Sequence, residues 1–373
     1  MIITEVRDKK TIKEFLNVAR VIYKGDPAWV CPLDTDIENV FNPAKNNFHK
    51  HGVITRWIAK DDSGTLIGRI AAFINYNKAD SFAQPTGGIG FFECINDEAT
   101  AFALFNTAKD WLQQHGMQAM DGPINFGEND TFWGLLVEGF TQPSYGMNYN
   151  PPYYKKLFDS YGFFTLYEQI TNHLDVNKPF PERFTKIAQW VIKKPGYRFE
   201  HLKVQEIDRF AADFMEIYND AWEDFDNFVP IRKETIGEAF NKMKILMDEN
   251  LIWFSYVNNE PASFVIILPD ANQIIKSFNG KLGLIEKLKF LYYRWRGVSR
   301  MRAIVMGTKK AYQKHGLESA MFIKLKEYVI PLKQYNELEL SWVGDFNEKM
   351  LAIHEATGAV FGKKHATLRK IFE

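Results

Sequence analysis

Apolar and polar positions switch between two rhythms along the chain, and the switch points predict its elements. A short apolar run, Ile2 to Val6, reads as a strand, and the helical spacing of Thr11 to Tyr23 stops at Gly25-Asp26-Pro27. Two β-rich runs, Thr55 to Ala59 and Leu66 to Ile74, flank the turn cluster Asp61-Asp62-Ser63-Gly64 and predict a hairpin. A further strand, Gly90 to Ile95, leads into Asn96-Asp97, residues suited to cap a helix that carries Leu104, Ala108, Trp111 and Leu112 on one face and ends at His115-Gly116.

The second half repeats this order. Strand Tyr197 to Leu202 and helix Asp208 to Trp222 precede a hairpin, Leu251 to Val257 and Ala262 to Leu268, turning at Asn258-Asn259. Strand Arg302 to Met306, a Gly-containing loop and a helix with Met321, Leu325, Tyr328 and Val329 on one face follow; Pro331 is expected to stop that helix. Strand Glu337 to Val343 and a last helix near Asn347 to Thr357 complete the unit. The prediction is an α/β fold with a mixed sheet in each half: domains 1–175 and 196–373, joined by a linker helix within 176–195, where Pro179, Pro181 and Pro195 punctuate the chain.

Length supports that division, because 373 residues exceed one ordinary domain of roughly 100–200 residues. Lys plus Arg and Asp plus Glu number 46 each, so no global positive field draws the chain to nucleic acid, and any such role needs a local patch. The two cysteines, Cys31 and Cys94, form no CxxC pair, which argues against a zinc site or a disulfide framework and for a reducing compartment. With no apolar signal core and no long uncharged apolar stretch, the expectation is a cytoplasmic protein without a transmembrane segment or metal.

The order of the second half, and its loop Gln313-Lys314-His315-Gly316-Leu317-Glu318, resemble the GNAT (Gcn5-related N-acetyltransferase) superfamily. That family's loop runs Arg or Gln, two residues, Gly, one residue, Gly or Ala; Glu318 departs from it. Such a loop aims backbone N–H groups and a helix N-terminus at a pyrophosphate, and a plain helix-approach loop looks the same. The family's Asn, with Gly eleven positions on, matches Asn347 and Gly358, while His354 stands where its Tyr is usual. In the first half, Asn150 to Phe163 resembles that last helix, but Asn96-Asp97-Glu98 replaces the phosphate loop with acids, so that half is expected to lack the cofactor. The segments Asp26 to Val30, Gly68 to Ile70, Gly122 to Phe126, Val137 to Phe140, Tyr218 to Trp222, Phe228 to Pro230 and Leu268 to Asn272 extend the resemblance to a bacterial tandem-GNAT family.

The resemblance implies acetyl-CoA or another acyl-CoA as co-substrate, held by Met306, Gly307, Thr308, the loop Gln313 to Glu318 and Asn347, with an amine as acceptor; Asp345 and Asn347 are alternatively expected to cap the last helix. Strand alternation puts Glu337, Glu339 and Ser341 on one face, and mid-strand Glu339 is the preferred general base unless those side chains simply face water. His354 either protonates the departing thiolate or is a surface histidine. Tyr218, Trp222 and Trp253 wall an acceptor pocket or belong to the core. The polar stretch Gly122 to Asp130 contacts a ligand or seats one domain on the other. Lys281 to Arg302, basic and with Leu284, Leu288 and Leu291 at helical spacing, meets a membrane surface, RNA or CoA phosphates, or is a packed helix with a solvated basic face. Three functions follow: an acyl-CoA-dependent N-acyltransferase, a catalytically silent GNAT-fold binding protein, or a transferase using aminoacyl-tRNA.

Overall fold

The computed structural model describes residues 1–224, 230–231 and 246–373; Phe228 and Val229 of one resembling segment lie outside them. Its first half runs β1 (Ile2–Glu5), α1 (Lys9–Ile22), α2 (Asp34–Phe41), β2 (Gly52–Lys60), β3 (Leu66–Asn75), α3 (Tyr76–Ala79), β4 (Thr86–Cys94), α4 (Glu98–Gln114), β5 (Ala119–Gly122), β6 (Leu135–Glu138), α5 (Tyr154–Tyr161) and β7 (Phe164–Asp175). After α6 (Glu182–Ile192) the second half runs β8 (Tyr197–His201), α7 (Ile207–Trp222), β9 (Ile252–Val257), β10 (Glu260–Pro269), α8 (Asn272–Ile275), α9 (Leu284–Arg296), β11 (Arg300–Thr308), α10 (Leu317–Leu332), β12 (Glu337–Gly344), α11 (Glu348–Ala356) and β13 (Val360–Ile371).

Helices cover both faces of the sheet because successive strand residues point to opposite sides. Ile58 packs with Phe15, Val18 and Ile37 of α1 and α2, while its neighbour Trp57 joins Leu104, Ala108 and Phe158 of α4 and α5. In the second half, Phe210, Phe214 and Ile217 of α7 cover Phe254 and Phe264, and Met321, Leu325 and Val329 of α10 cover Trp253 and Val265 from the other side. Pro331 lies inside α10 instead of ending it; the helix stops two residues later at Lys333, whose φ is 52°.

The strands form one continuous path, β1-β2-β3-β4-β5-β13-β7-β12-β11-β10-β9-β8, with β6 also paired to β13. The halves have therefore exchanged their final strands: β13 pairs antiparallel with β5, and β7 pairs with β12. A division of the chain between residues 175 and 196 separates the sequence but not the sheet.

Candidate active site

Strands β11 and β12 run parallel and pair only from Arg300 to Ala303 and from Glu337 to Leu340. Beyond that point β11 keeps its pairing with β10 as far as Thr308, and β12 follows β7 instead. A bulge between Ile266 and Ile267 sets one extra β11 residue, Ile304, at the parting point, and a bulge bends the strand that carries it. At the crotch of this fork Ser341 Oγ donates to the Ala303 carbonyl and accepts from Arg302 Nε at 3.2 Å.

Below the crotch the paired residues Arg302, Glu339 and His173 share one face, as do Lys363 and Thr171, and His365 and Gln169 on the exchanged strands. This polar stripe is buried. Glu339 is fully enclosed, with Arg302 Nε and Lys363 Nζ each at 3.7 Å and His173 Nε2 at 3.9 Å. Neither Glu339 oxygen, nor Lys363 Nζ, has a protein hydrogen-bond partner. Burial pushes the Lys363 ammonium below its usual range against the pull of Glu339, and His173 Nδ1 donates to Glu337 and holds that carboxyl below its own. Segment 139–150 of the first half roofs the stripe with backbone carbonyls: Arg300 Nη2 donates to Pro143 at 3.1 Å, Arg302 Nη1 to Tyr145 at 2.5 Å and His365 Nε2 to Asn148 at 3.0 Å.

The sequence-predicted residues fall into three groups. The first group lines the fork. Gly307 faces the Trp222 ring, where a Cβ would lie 2.5 Å from Cζ3, and Trp222 stacks on Tyr218 with centroids 4.4 Å apart. The first-half loop reaches this mouth: Trp342 Nε1 donates to the Asn129 carbonyl at 3.3 Å, and Glu128 and Asp130 add to burial in raising the Tyr218 hydroxyl. Met306 is half-buried beside Gly307.

The second group shapes the loop before α10. Lys314 and Gly316 adopt left-handed φ of 66° and 77°, and Gly316 at the N-cap provides no side-chain cap to α10. Glu318, the departure from the family pattern, accepts from Thr308 Oγ1 at 2.5 Å, so its carboxylate bends back onto β11. His315 pairs with the Tyr197 hydroxyl at 3.1 Å, Leu317 is buried, Gln313 and Lys314 precede them in the same loop, and the bare Cα of Gly316 also lets Ile187 of α6 approach.

The third group makes other contacts. His354 is buried and not on the surface; its Nδ1 accepts from Asn172 Nδ2 at 3.2 Å, and burial lowers it to about 4, which leaves the ring neutral and without the proton a general acid needs. Asn347 Oδ1 caps α11 by accepting from the Met350 N–H at 3.2 Å. Trp253 sits on β9, two strands from β12's partner edge and on the α10 side of the sheet, with its Nε1 bonded to the Asn250 carbonyl.

The first half has its own fork, which is filled. Strands β4 and β5 pair in parallel from Thr86 to Gly88, and Phe91 (φ 51°) marks a bulge beyond. Ile124 then closes the gap, its N–H donating to the Ile89 carbonyl at 2.8 Å while its own carbonyl fills the space a Cβ on Gly90 would need. Asp97 caps α4, accepting from Thr100 N–H at 2.7 Å and Oγ1 at 2.6 Å. Beside this fork lies a cavity of about 80 Å³, lined by Arg69, Glu93, Tyr149, Asn150 and Tyr154. Glu93 accepts from the Tyr154 hydroxyl at 2.8 Å and from Arg69 at 3.4 Å, and burial raises its carboxyl.

No family model matches the chain. A bacterial ceramide synthase from Caulobacter vibrioides is 29% identical over 378 residues, spanning 98% of this chain and 96% of that protein. Protein YghO from Escherichia coli is 27% identical over 375 residues, 97% of this chain and 93% of its own. Among solved structures, a tandem GNAT protein from the clavulanic acid biosynthesis pathway superposes with a TM-score of 0.58 at 11% identity, covering 99% of this chain and 98% of that one. The chain carries a tandem GNAT fold.

Within that GNAT fold, β11 and β12 are the parted parallel pair of the second half and β4 and β5 that of the first. Sequence reasoning missed Glu93, Arg69 and Lys363 because each reads locally as an ordinary charged strand position. A polar side chain at alternating positions of a strand was the signal present, strongest in Lys363, His365, Thr367 and Arg369, all of them buried.

Proposed function

We propose that the protein is an N-acyltransferase that moves a fatty acyl group from a thioester, an acyl-CoA, to the amine of a long-chain amino alcohol. The observation that carries this reading is the β11/β12 fork with Glu339 enclosed at its base. The parted edge from Ile304 to Thr308 offers backbone groups to an extended donor arm, and the uncapped start of α10 suits the donor's phosphates. The acceptor class comes from the full-length similarity to a ceramide synthase, because a ceramide is the amide of such an amino alcohol. The residues that would hold the donor are Met306, Gly307 and Thr308 on β11 and Gln313 to Glu318 in the loop; Tyr218, Trp222 and the loop around Asn129 would border the acceptor.

Aminolysis needs an uncharged nitrogen, whereas an alkylamine arrives as an ammonium. Glu339, acting through water at the crotch, takes that proton; the nitrogen then bonds to the thioester carbon and gives up its second proton to the same water, the carbon–sulfur bond breaks, and the thiolate leaves with the electron pair. Lys363, whose proton burial makes easier to release, returns a proton to the sulfur. His354 has no part in this scheme.

The test is to incubate the protein with palmitoyl-CoA and a long-chain amino alcohol and to look for the amide by mass spectrometry. Product that vanishes with Glu339→Gln supports the reading, and product formed equally well by that variant removes Glu339 from it. A second reading puts the chemistry at the first-half cavity, favoured by the buried Glu93–Tyr154 pair that lines it. Loss of turnover with Glu93→Gln alone would select it.

A further inference from the structure

Helix α9 is turned the opposite way from an ordinary surface helix. It has no buried residue: Leu284 is 80% exposed, Leu288 68%, Leu291 60% and Trp295 83%, with Ile285 and Tyr292 also exposed. At about 100° per residue these six side chains fill a single arc of about 120°. The opposite side, through Phe290 and Tyr293, packs on the second-half core. The leucines expected to bury themselves therefore face outward.

Charge borders this apolar arc on both sides. Lys287 and Arg294 flank one edge and Lys289 and Arg296 the other, while Glu286, the helix's acid, sits on the packed side and bonds to the Gly283 N–H at 3.0 Å. The preceding segment is pinned to the first half: Arg20 donates to the Asn279 carbonyl at 2.9 Å, and Asp34 N–H to that of Gly280 at 2.8 Å. The helix is a fixed ridge on the fold.

We propose that α9 is an interfacial anchor, which lies in the plane of an anionic lipid bilayer with its apolar arc among the acyl chains and its basic edges on the headgroup phosphates. A helix with bulky apolar residues on one side, basic residues at both margins and a protein behind it has the geometry of a monotopic segment. No described helix is long and apolar enough to cross a membrane, so this is attachment to one leaflet. A second copy of the chain is the poorer occupant, since two such faces laid together set lysine and arginine margins against each other. RNA is poorer still, because it offers nothing to six exposed apolar side chains between the charges. The proposal is independent of the acyl-transfer reading.

The test is flotation of the full chain with vesicles of phosphatidylcholine alone and of equal phosphatidylcholine and phosphatidylglycerol. The wild type is expected to float with the anionic vesicles, and Leu288→Glu with Trp295→Glu to weaken partitioning by about a hundredfold while circular dichroism stays unchanged. A second variant, with Lys287, Lys289, Arg294 and Arg296 all changed to Gln, keeps the apolar arc and should lose roughly fivefold per charge on anionic vesicles only. Absence of the wild type from floated anionic vesicles overturns the proposal. So does equal flotation of both variants, a concentration-dependent dimer abolished by Leu288→Glu with Trp295→Glu, or RNA binding abolished by the four-Gln variant without vesicle binding.

Discussion

In the first half the parallel pair β4 and β5 parts after Gly88 and Asp121, and the chain spends the opening on itself: Ile124 pairs with Ile89 across the gap, and Asp97 caps the following helix. In the second half β11 and β12 part after Ala303 and Leu340 at a similar bulge, β12 turns to β7, and Gly316 leaves α10 without a side-chain cap. One architecture thus yields a fork bridged by Ile124 and a fork with no such bridge among the described residues, and the difference lies in a few local hydrogen bonds rather than in the sheet.

The largest expected break in this contrast is at the two enclosed carboxylates. Glu339→Gln should lower kcat by about a thousandfold, as loss of a general base does, while Glu93→Gln leaves it within a few-fold; steady-state kinetics on both variants measure it, and the reverse pattern would move the chemistry to the closed half. Acid should act next, through the second half. His354 and His365 are each held at about 4 by burial, against 6.5 when free. The unfolded chain therefore binds more protons between those values, so stability is whole above pH 6.5 and falls as the pH drops toward 4, by on the order of 3 kcal/mol for each ring. Denaturant melts across that range should show the loss, and His354→Gln should remove about half of it.

Closing the open fork should have a smaller effect. Gly316→Asp combined with Ile187→Ala, which makes room beside α6, installs a carboxylate cap like that of Asp97 and should weaken CoA binding about tenfold in calorimetry. A bulkier residue at Gly316 would be a poorer probe, because its positive φ and its contact with Ile187 confound binding with packing. The smallest effect is expected from Asp97→Ala, a loss of about 1 kcal/mol in thermal stability with no change in CoA affinity.

Much of this arrangement was legible in the chain. The strand and helix order, the Asp97 cap and the Gln313 to Glu318 loop are local patterns, set by residues within one turn or one hairpin of each other. The exchange of β7 and β13 is not local: it depends on which distant edge each strand meets, and no spacing encodes that choice. For the same reason Glu339 was found as a mid-strand acid, but its enclosure by Lys363 and His173 was not, since both partners arrive on exchanged strands. His354 shows the converse, a family position kept in spacing whose burial alters its chemistry.

The exchanged strands also tie assembly to the direction of synthesis. β5 leaves the ribosome with one neighbour on the sheet 248 residues away in sequence, since Asp121 awaits Arg369. The first half cannot finish its sheet as an independent domain during translation, although domains generally fold as they emerge. Until β13 arrives, the edge of β5 stands open as a site for pairing with other chains, so a strand of the second half seals the first.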